Sequence, residues 1–492
     1  MRRVPDVYRL AALSSDLPGE ALRHFRRALS DARERSMVLA AAGLVVVAGL
    51  FGGASQTNAL SLAAVELASL PLLFLALSRM FALGAPKSSV WALGILGLLL
   101  AIPILQLIPL PESIWSQLPG REPEVQGVKA ALIASPVLPL SLTPQNTFRD
   151  VLALAPPAAM FLGAIQLSGQ ERRALAGLWI LLGLVSLALG ALQMLGGADS
   201  RFYFYAVTNA DSPVGLFANR NHQAAFLYSL VPLAGAFVAG ARGGFQDRRG
   251  LPAVLGALFI PLAGIGVALT ASRAGFILIA AALLGAFAVV LRSGAVLGRW
   301  RLATTLALPA IGGVGAVLLF AMGPIMARFG PAQAQDLRFQ GLPVVLKAAH
   351  GFLPFGSGIG SFEPVYRAAE PLAQVSSTYF NHAHDDYLEL WLETGVAGAV
   401  LLAAFAAWFG LRFFRIWIGK VRSGARGASG SLAAAFTVVI ALLLIHSAFD
   451  YPLRTEALAV LFACGCAEIC VAARGAGREE RGSDPRLHIQ GD

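Results

Sequence analysis

The chain has 492 residues, of which 57% are hydrophobic and 13% charged, and its mean hydropathy is +0.68. Soluble domains carry about 25% charged residues, so a soluble enzyme is excluded and a polytopic membrane protein is indicated. The net charge of +10, from 38 basic and 28 acidic side chains, does not point to nucleic acid, because the charges lie between apolar runs instead of forming one basic face.

Residues 1–36 are polar and rich in Arg, too long a preamble for a secretory signal peptide, and are expected to form a cytoplasmic tail. A membrane-crossing helix needs roughly 20 mostly apolar residues. That template predicts about twelve spans: Met37–Ala54, Leu60–Ser78, Val90–Leu110, Val151–Leu167, Leu175–Leu195, Gln223–Gly240, Leu251–Thr270, Ala274–Leu291, Ala303–Gly323, Val396–Leu411, Leu432–Phe449 and Thr455–Ala472. Cytoplasmic connections carry an excess of Lys and Arg. Here the basic residues gather in the N-terminal tail, around Arg79, at Arg172–Arg173, Arg242–Arg249, Arg292–Arg301 and Arg412–Arg426, and in the tail 473–492. This alternation predicts both ends in the cytoplasm. The expected fold class is therefore an all-α polytopic membrane protein, with helices 1–9 over 37–323, a large periplasmic loop over 324–393, and helices 10–12 over 394–472.

The long connections, Pro111–Asp150, Gly196–His222 and Pro324–Glu393, then all fall on the outer side. The last is beyond ordinary connection lengths and is expected to be functional or a small folded unit. Within it Leu337–Lys347 has the pattern of a helix lying along the membrane surface. Glu66, an acid in the second span, is either functional or a helix–helix hydrogen-bonding group. Cys464, Cys466 and Cys470 match no zinc spacing and are expected to face lipid or other helices.

The densest ionisable cluster is Asn381-His382-Ala383-His384-Asp385-Asp386-Tyr387. Such a cluster can supply a general base and the carboxylate that orients it, or simply a capped helix start whose acids complement the helix dipole. Positive charge is depleted on the outer side, which singles out Arg273 in a tight hairpin and Arg338 in the long loop. A guanidinium there suits a phosphate or diphosphate, through bidentate hydrogen bonds; snorkelling to lipid headgroups is the alternative for Arg273, and an exposed loop residue for Arg338. Asn219-Arg220-Asn221-His222, just before the sixth span, suits an anionic or sugar-bearing ligand at a helix start, or a helix capped by Asn. Gly356-Ser357-Gly358-Ile359-Gly360 follows no strand, so it is no dinucleotide fingerprint and is expected to be a flexible turn.

Phe217–His222, the Thr270-Ala271-Ser272-Arg273-Ala274-Gly275 hairpin, Arg338, Pro354–Phe362, His382–Leu388 and Glu393-Thr394-Gly395 occur in that order. Together they resemble the O-antigen ligase and O-antigen polymerase superfamily of bacterial inner-membrane glycosyltransferases, over about Gly215 to Val400. The resemblance implies about twelve helices with a periplasmic loop covering a cavity. It also implies a glycan donor on undecaprenyl diphosphate, and transfer to a hydroxyl of lipid A-core or of a growing polysaccharide, without metal, cofactor or nucleotide sugar; direct displacement by that hydroxyl would invert the anomeric carbon. His384, Arg273 and Arg338 take the catalytic positions, with Asn219, Arg220, Asn221, His222, His382, Asp385 and Asp386 as substrate-binding lining. One departure is Asp385, where the family often has Asn. Repeat-unit polymerisation and transfer to protein are the alternatives within the superfamily. A polysaccharide transporter or flippase is the alternative outside it, disfavoured because the ionisable groups gather in the outer loops and not at the midplane.

Overall fold

The computed structural model describes residues 19–54, 58–240, 251–293, 337–375, 380–418 and 428–472, with side chains from residue 34 in the first segment, 341 in the fourth and 430 in the last. The predicted span Ala303–Gly323 and loop residues 324–336 lie outside the described residues. In chain order the helices are α1 (Gly19–Phe51), α2 (Ala59–Leu83), α3 (Val90–Gln106), α4 (Glu112–Trp115), α5 (Glu122–Ala130), α6 (Pro144–Ala153), α7 (Ala155–Ala164), α8 (Gly169–Gly196), α9 (Arg220–Ala239), α10 (Leu251–Leu269), α11 (Arg273–Arg292), α12 (Leu337–Gly351), α13 (Phe362–Ala369), α14 (Asp386–Trp417), α15 (Ala428–Ser447) and α16 (Glu456–Val471). Two short strands, β1 (Pro109–Leu110) and β2 (Leu138–Pro139), pair antiparallel.

Among the described residues nine helices are long and apolar enough to cross a membrane, α1, α2, α3, α8, α9, α10, α11, α14 and α15. Large apolar side chains cover their outer faces, with Leu60, Phe81 and Leu195 each at least 85% exposed. Such a surface suits hydrocarbon and not water, and the chain is an all-α, multi-pass membrane protein. The centre of the bundle is α9, buried from His222 to Val238 and enclosed by α10, α11 and α15. Small residues permit the close approach: a Cβ on Gly235 would stand 3.0 Å from the Ala286 Cβ of α11.

Four predicted spans differ in the structure. The first helix begins at Gly19 and not at Met37, within the predicted tail. Val151–Leu167 is not one helix but two of ten residues each, α6 and α7, meeting at Leu154. Pro156 and Pro157 have no N–H for the carbonyls of Leu152 and Ala153, so the α6 ladder stops there. α7 is buried against α2 and α16. The segment predicted as Thr455–Ala472 is the sixteen-residue α16, buried along nearly its whole length, and its three cysteines face other helices. The helix predicted to begin at Val396 begins at Asp386 and bends at Gly395, whose φ of +55° and ψ of −134° are non-helical.

That bend positions the site. A Cβ at Gly395 would lie 2.2 Å from the Pro354 carbonyl oxygen, so only glycine fits, and Val396 N–H donates to that oxygen at 2.9 Å. The turn Gly356–Gly360, expected to be flexible, is pinned instead. Gly358 N–H donates to the Glu393 carbonyl, Gly360 N–H to Glu393 Oε1 and Ile359 N–H to Gln106 Oε1, each at 2.9 Å. A second small core then forms above the bundle from Val345, Ala349, Phe362, Tyr366, Phe380 and Leu392. α12 turns Val345 and Ala349 into it and leaves Leu342 and Leu346 exposed.

Candidate functional site

The first turn of α14 builds the site. Asp385 is its N-cap: Oδ1 accepts the N–H groups of Tyr387 and Leu388, both at 3.0 Å. Burial pushes the Asp385 carboxyl up, against the two N–H donors that favour its charge. Beyond the cap, Asp386, Glu389 and Glu393 recur at three- and four-residue spacing and so share one face of the helix. That face meets Arg454, from the turn Pro452–Arg454 between α15 and α16. Its guanidinium reaches Asp386 Oδ1 at 3.3 Å, Glu389 Oε1 at 3.2 Å and Glu393 Oε2 at 3.1 Å. Burial alone would lower the Arg454 pKa, but the surrounding carboxylates outweigh it and hold it well above its ordinary value. Ser447 Oγ donates to the other Asp386 oxygen at 2.8 Å.

Each histidine of the cluster has a carboxylate partner. His382 Nδ1 lies 2.8 Å from Glu389 Oε1, and Ala383 N–H donates to Glu389 Oε2 at 2.8 Å. His384 Nδ1 lies 2.9 Å from Oδ1 of Asp450, a residue of the hairpin between α15 and α16. Asp450 also accepts Asn221 Nδ2–H at 2.7 Å and Tyr451 N–H at 3.1 Å. An ionised carboxylate only accepts hydrogen bonds, so the proton in the His384 contact belongs on Nδ1 and leaves the Nε2 lone pair as a base. The His384 side chain is 17% exposed against 6% for His382. His384 also holds a backbone φ of +52°, a conformation uncommon outside glycine. The Tyr451 ring gathers three imidazoles around it, with centroids at 4.3 Å (His382), 5.0 Å (His384) and 5.1 Å (His222).

The start of α9 completes this surface. Asn219 caps it by accepting Asn221 N–H at 2.8 Å, and His222 Nδ1 lies 2.9 Å from Thr455 Oγ1. Arg220 turns toward Asp211 at 3.8 Å and Ser212 at 3.5 Å. The structure thus gathers Asn219, Asn221, His222, His382, His384, Asp385 and Asp386 at one end of the bundle. Arg273 is the first residue of α11, whose Gly275 packs so close to α9 that a Cβ there would stand 2.7 Å from the Ala224 Cβ. This places Arg273 near the α9 start, although it is not among the residues lining the cavity described next. Arg338 is the second residue of α12, and its side chain lies outside the described residues.

A cavity of about 720 Å³ opens beside this cluster; Asn219, His222, His382 and Asp386 line it, whereas Arg220, Asn221, His384, Asp385 and Asp450 do not. Its polar end is lined by Asn146, Arg149, His382, Tyr451 and Arg454, and its apolar length by Leu96, Leu99, Phe161, Leu402, Phe405 and Phe462. Burial pushes the carboxyl of Asp150, at the polar end, up, partly offset by Arg454 and His382. Among the described residues no three His, Cys, Asp or Glu side chains group as metal ligands.

Sequence reasoning assigned Asp385 or Asp386 to orient His384. In the structure Asp385 is occupied as a helix cap and Asp386 by Arg454 and Ser447, while Asp450 is the partner. Asp450, Tyr451, Arg454 and Arg149 were not singled out. The signal that selected Arg273, a basic residue in a short connection on the side depleted in positive charge, applies equally to Arg454.

Residues 257–403 match the family model described as O-antigen ligase, Wzy_C, which supports the O-antigen ligase and polymerase superfamily for this stretch. The match includes Arg273, Arg338, His382 and His384, and leaves out both Asn219–His222 and the Asp450–Arg454 hairpin. A search of curated proteins gave no match.

Proposed function

We propose that the protein is a membrane glycan transferase, moving a glycan from undecaprenyl diphosphate to an acceptor sugar hydroxyl on lipid A-core or a growing polysaccharide, at the periplasmic face of the bacterial inner membrane. The observation that carries this reading is the His384–Asp450 pair, tied to Asn221 and joined by the His384–Tyr451 ring contact to a cavity that Tyr451 lines, polar at one end and apolar along its length. An isoprenoid suits the apolar wall and a charged, sugar-bearing headgroup the polar end.

His384 Nε2 takes the proton of the acceptor hydroxyl, and the oxygen attacks the anomeric carbon as the bond from that carbon to the diphosphate oxygen breaks. The configuration inverts, and undecaprenyl diphosphate leaves with the bonding electron pair. Asp450 holds the imidazole in the tautomer that can accept the proton and stabilises the imidazolium that results. Arg273 and Arg338 take the charge that grows on the departing diphosphate. No step calls for a metal or nucleotide.

Purified protein in lipid nanodiscs, given the lipid-linked glycan and an acceptor, should form a new glycosidic bond and release undecaprenyl diphosphate. His384→Ala should lower turnover about 10²–10⁴-fold, the usual contribution of a general base, with donor binding kept. Glycan crossing a bilayer with no new bond would replace this reading by transport. In a deletion strain, long lipid-linked chains would mark ligation and single repeats polymerisation.

A further inference from the structure

We infer that Glu456 anchors a subsite for a hydroxyl-bearing sugar unit, in the cavity wall that also carries His222. The inference rests on the transferase reading above and specifies which part of the donor lies here. Glu456 opens α16 at 3% exposure and lines the cavity, and neither of its carboxylate oxygens has a hydrogen-bond partner among the described residues. His222, 5% exposed and lining the same wall, has Nδ1 fixed by Thr455 but Nε2 without a partner among the described residues. Two buried polar groups on one wall, each short of a partner, mark a place that a ligand satisfies, because leaving such groups unpaired costs about 1–3 kcal/mol each.

The neighbours define the chemistry. Asn209 and Asn219 line this part of the cavity, and their side-chain oxygens are taken by the N–H groups of Arg220 and Asn221. Each therefore offers a ligand its NH2 donors. Glu66 of α2 adds a second carboxylate to the lining. Carboxyl groups interleaved with amide donors fit vicinal hydroxyls, which both donate and accept. Tyr451, within 5.1 Å of both the His222 and His384 ring centroids, links this subsite to the general base.

The test compares binding of two lipids to the full-length protein in nanodiscs: sugar-free undecaprenyl diphosphate, and the lipid-linked glycan that accumulates in a strain deleted for this protein. Wild type should bind both, the glycosylated lipid more tightly. Glu456→Gln, which keeps the shape, should lose about 2–10-fold on the glycosylated lipid, as expected for one hydrogen bond, and nothing on the sugar-free lipid. Glu456→Asp should recover part of the loss. Equal loss on both lipids, no loss on either, or no gain from the glycan in wild type would overturn the subsite. Failure of wild type to bind the sugar-free lipid, or of any lipid-linked glycan to accumulate, would instead overturn the transferase reading.

Discussion

Replacing Asp450 by Asn isolates the step on which the proposed chemistry turns. The side chain keeps its shape, and the wild-type carboxylate accepts N–H groups from His384, Asn221 and Tyr451 among its partners. An amide at this position has one acceptor oxygen. If that oxygen stays toward His384 Nδ1, the NH2 group faces Asn221 Nδ2–H, donor against donor. If it turns toward Asn221, the NH2 faces His384 and favours the tautomer with the proton on Nε2, which cannot act as base. A hydrogen bond to a charged group is worth about 1.5–3 kcal/mol, or about 10–150-fold in rate. Loss of the tautomer as well brings the expected fall in kcat toward the full general-base contribution of about 10²–10⁴-fold. The assay is single-turnover transfer in nanodiscs, with donor binding measured separately and expected to be unchanged. Combining Asp450→Asn with His384→Ala should cost little more than His384→Ala alone, because the two act as a unit. Wild-type turnover in Asp450→Asn, or fully additive losses in the double variant, would refute the pairing.

Other substitutions test separate parts. Arg273→Lys keeps the charge but loses the planar fork; turnover should fall at least tenfold, and full activity in the transfer assay would argue against bidentate contact with the diphosphate. Arg454→Met leaves Asp386, Glu389 and Glu393 without their guanidinium; breaking a buried ionic cluster in this way should destabilise by about 3–5 kcal/mol, seen as a lower thermal midpoint in detergent that Arg454→Lys restores in part. Gly395→Ala forces a Cβ to within 2.2 Å of the Pro354 carbonyl at a positive φ; a cost of about 1–3 kcal/mol, read in the same melt, should accompany it, and an unchanged midpoint would show that the bend is not required.

The sequence made the membrane class and the ends of most spans legible, because hydropathy is a local property. It also marked His382 to Asp386, since an ionisable cluster stands out against apolar flanks. What it hid depends on pairing across the chain. Asp450 and His384 are 66 residues apart, and nothing local distinguishes Asp450 as the orienting carboxylate from the nearer Asp385. The polar first turns of α14 masked a helix that hydropathy alone begins at Val396. The Pro156–Pro157 break was written in the sequence, yet a hydropathy window averages over two apolar prolines and reports one span. Glu456, inside the predicted span Thr455–Ala472, was not singled out, because its burial depends on helices distant in the chain, α16 packing on α1, α7 and α15.

His382 and His384 both bear a carboxylate on Nδ1, and their contacts predict that they fail in different ways. Glu389 Oε1 is shared between His382 and Arg454 while Oε2 holds Ala383 N–H, so His382 is one strut of a closed ionic frame. Its ring is also the closest of the three imidazoles to Tyr451. His382→Ala therefore removes a buried charged hydrogen bond worth about 1.5–3 kcal/mol, together with a ring contact, and should lower the thermal midpoint clearly while membranes that retain folded protein keep measurable turnover. His384 is the more exposed of the two, and its alanine variant leaves Asp450 bonded to Asn221 and Tyr451. That variant should melt close to wild type and yet lose about 10²–10⁴-fold in kcat. Measuring both variants by melt and by single-turnover transfer separates the roles. Loss of turnover with an unchanged melt in His382→Ala, and the converse in His384→Ala, would transfer the general base to His382 and Glu389.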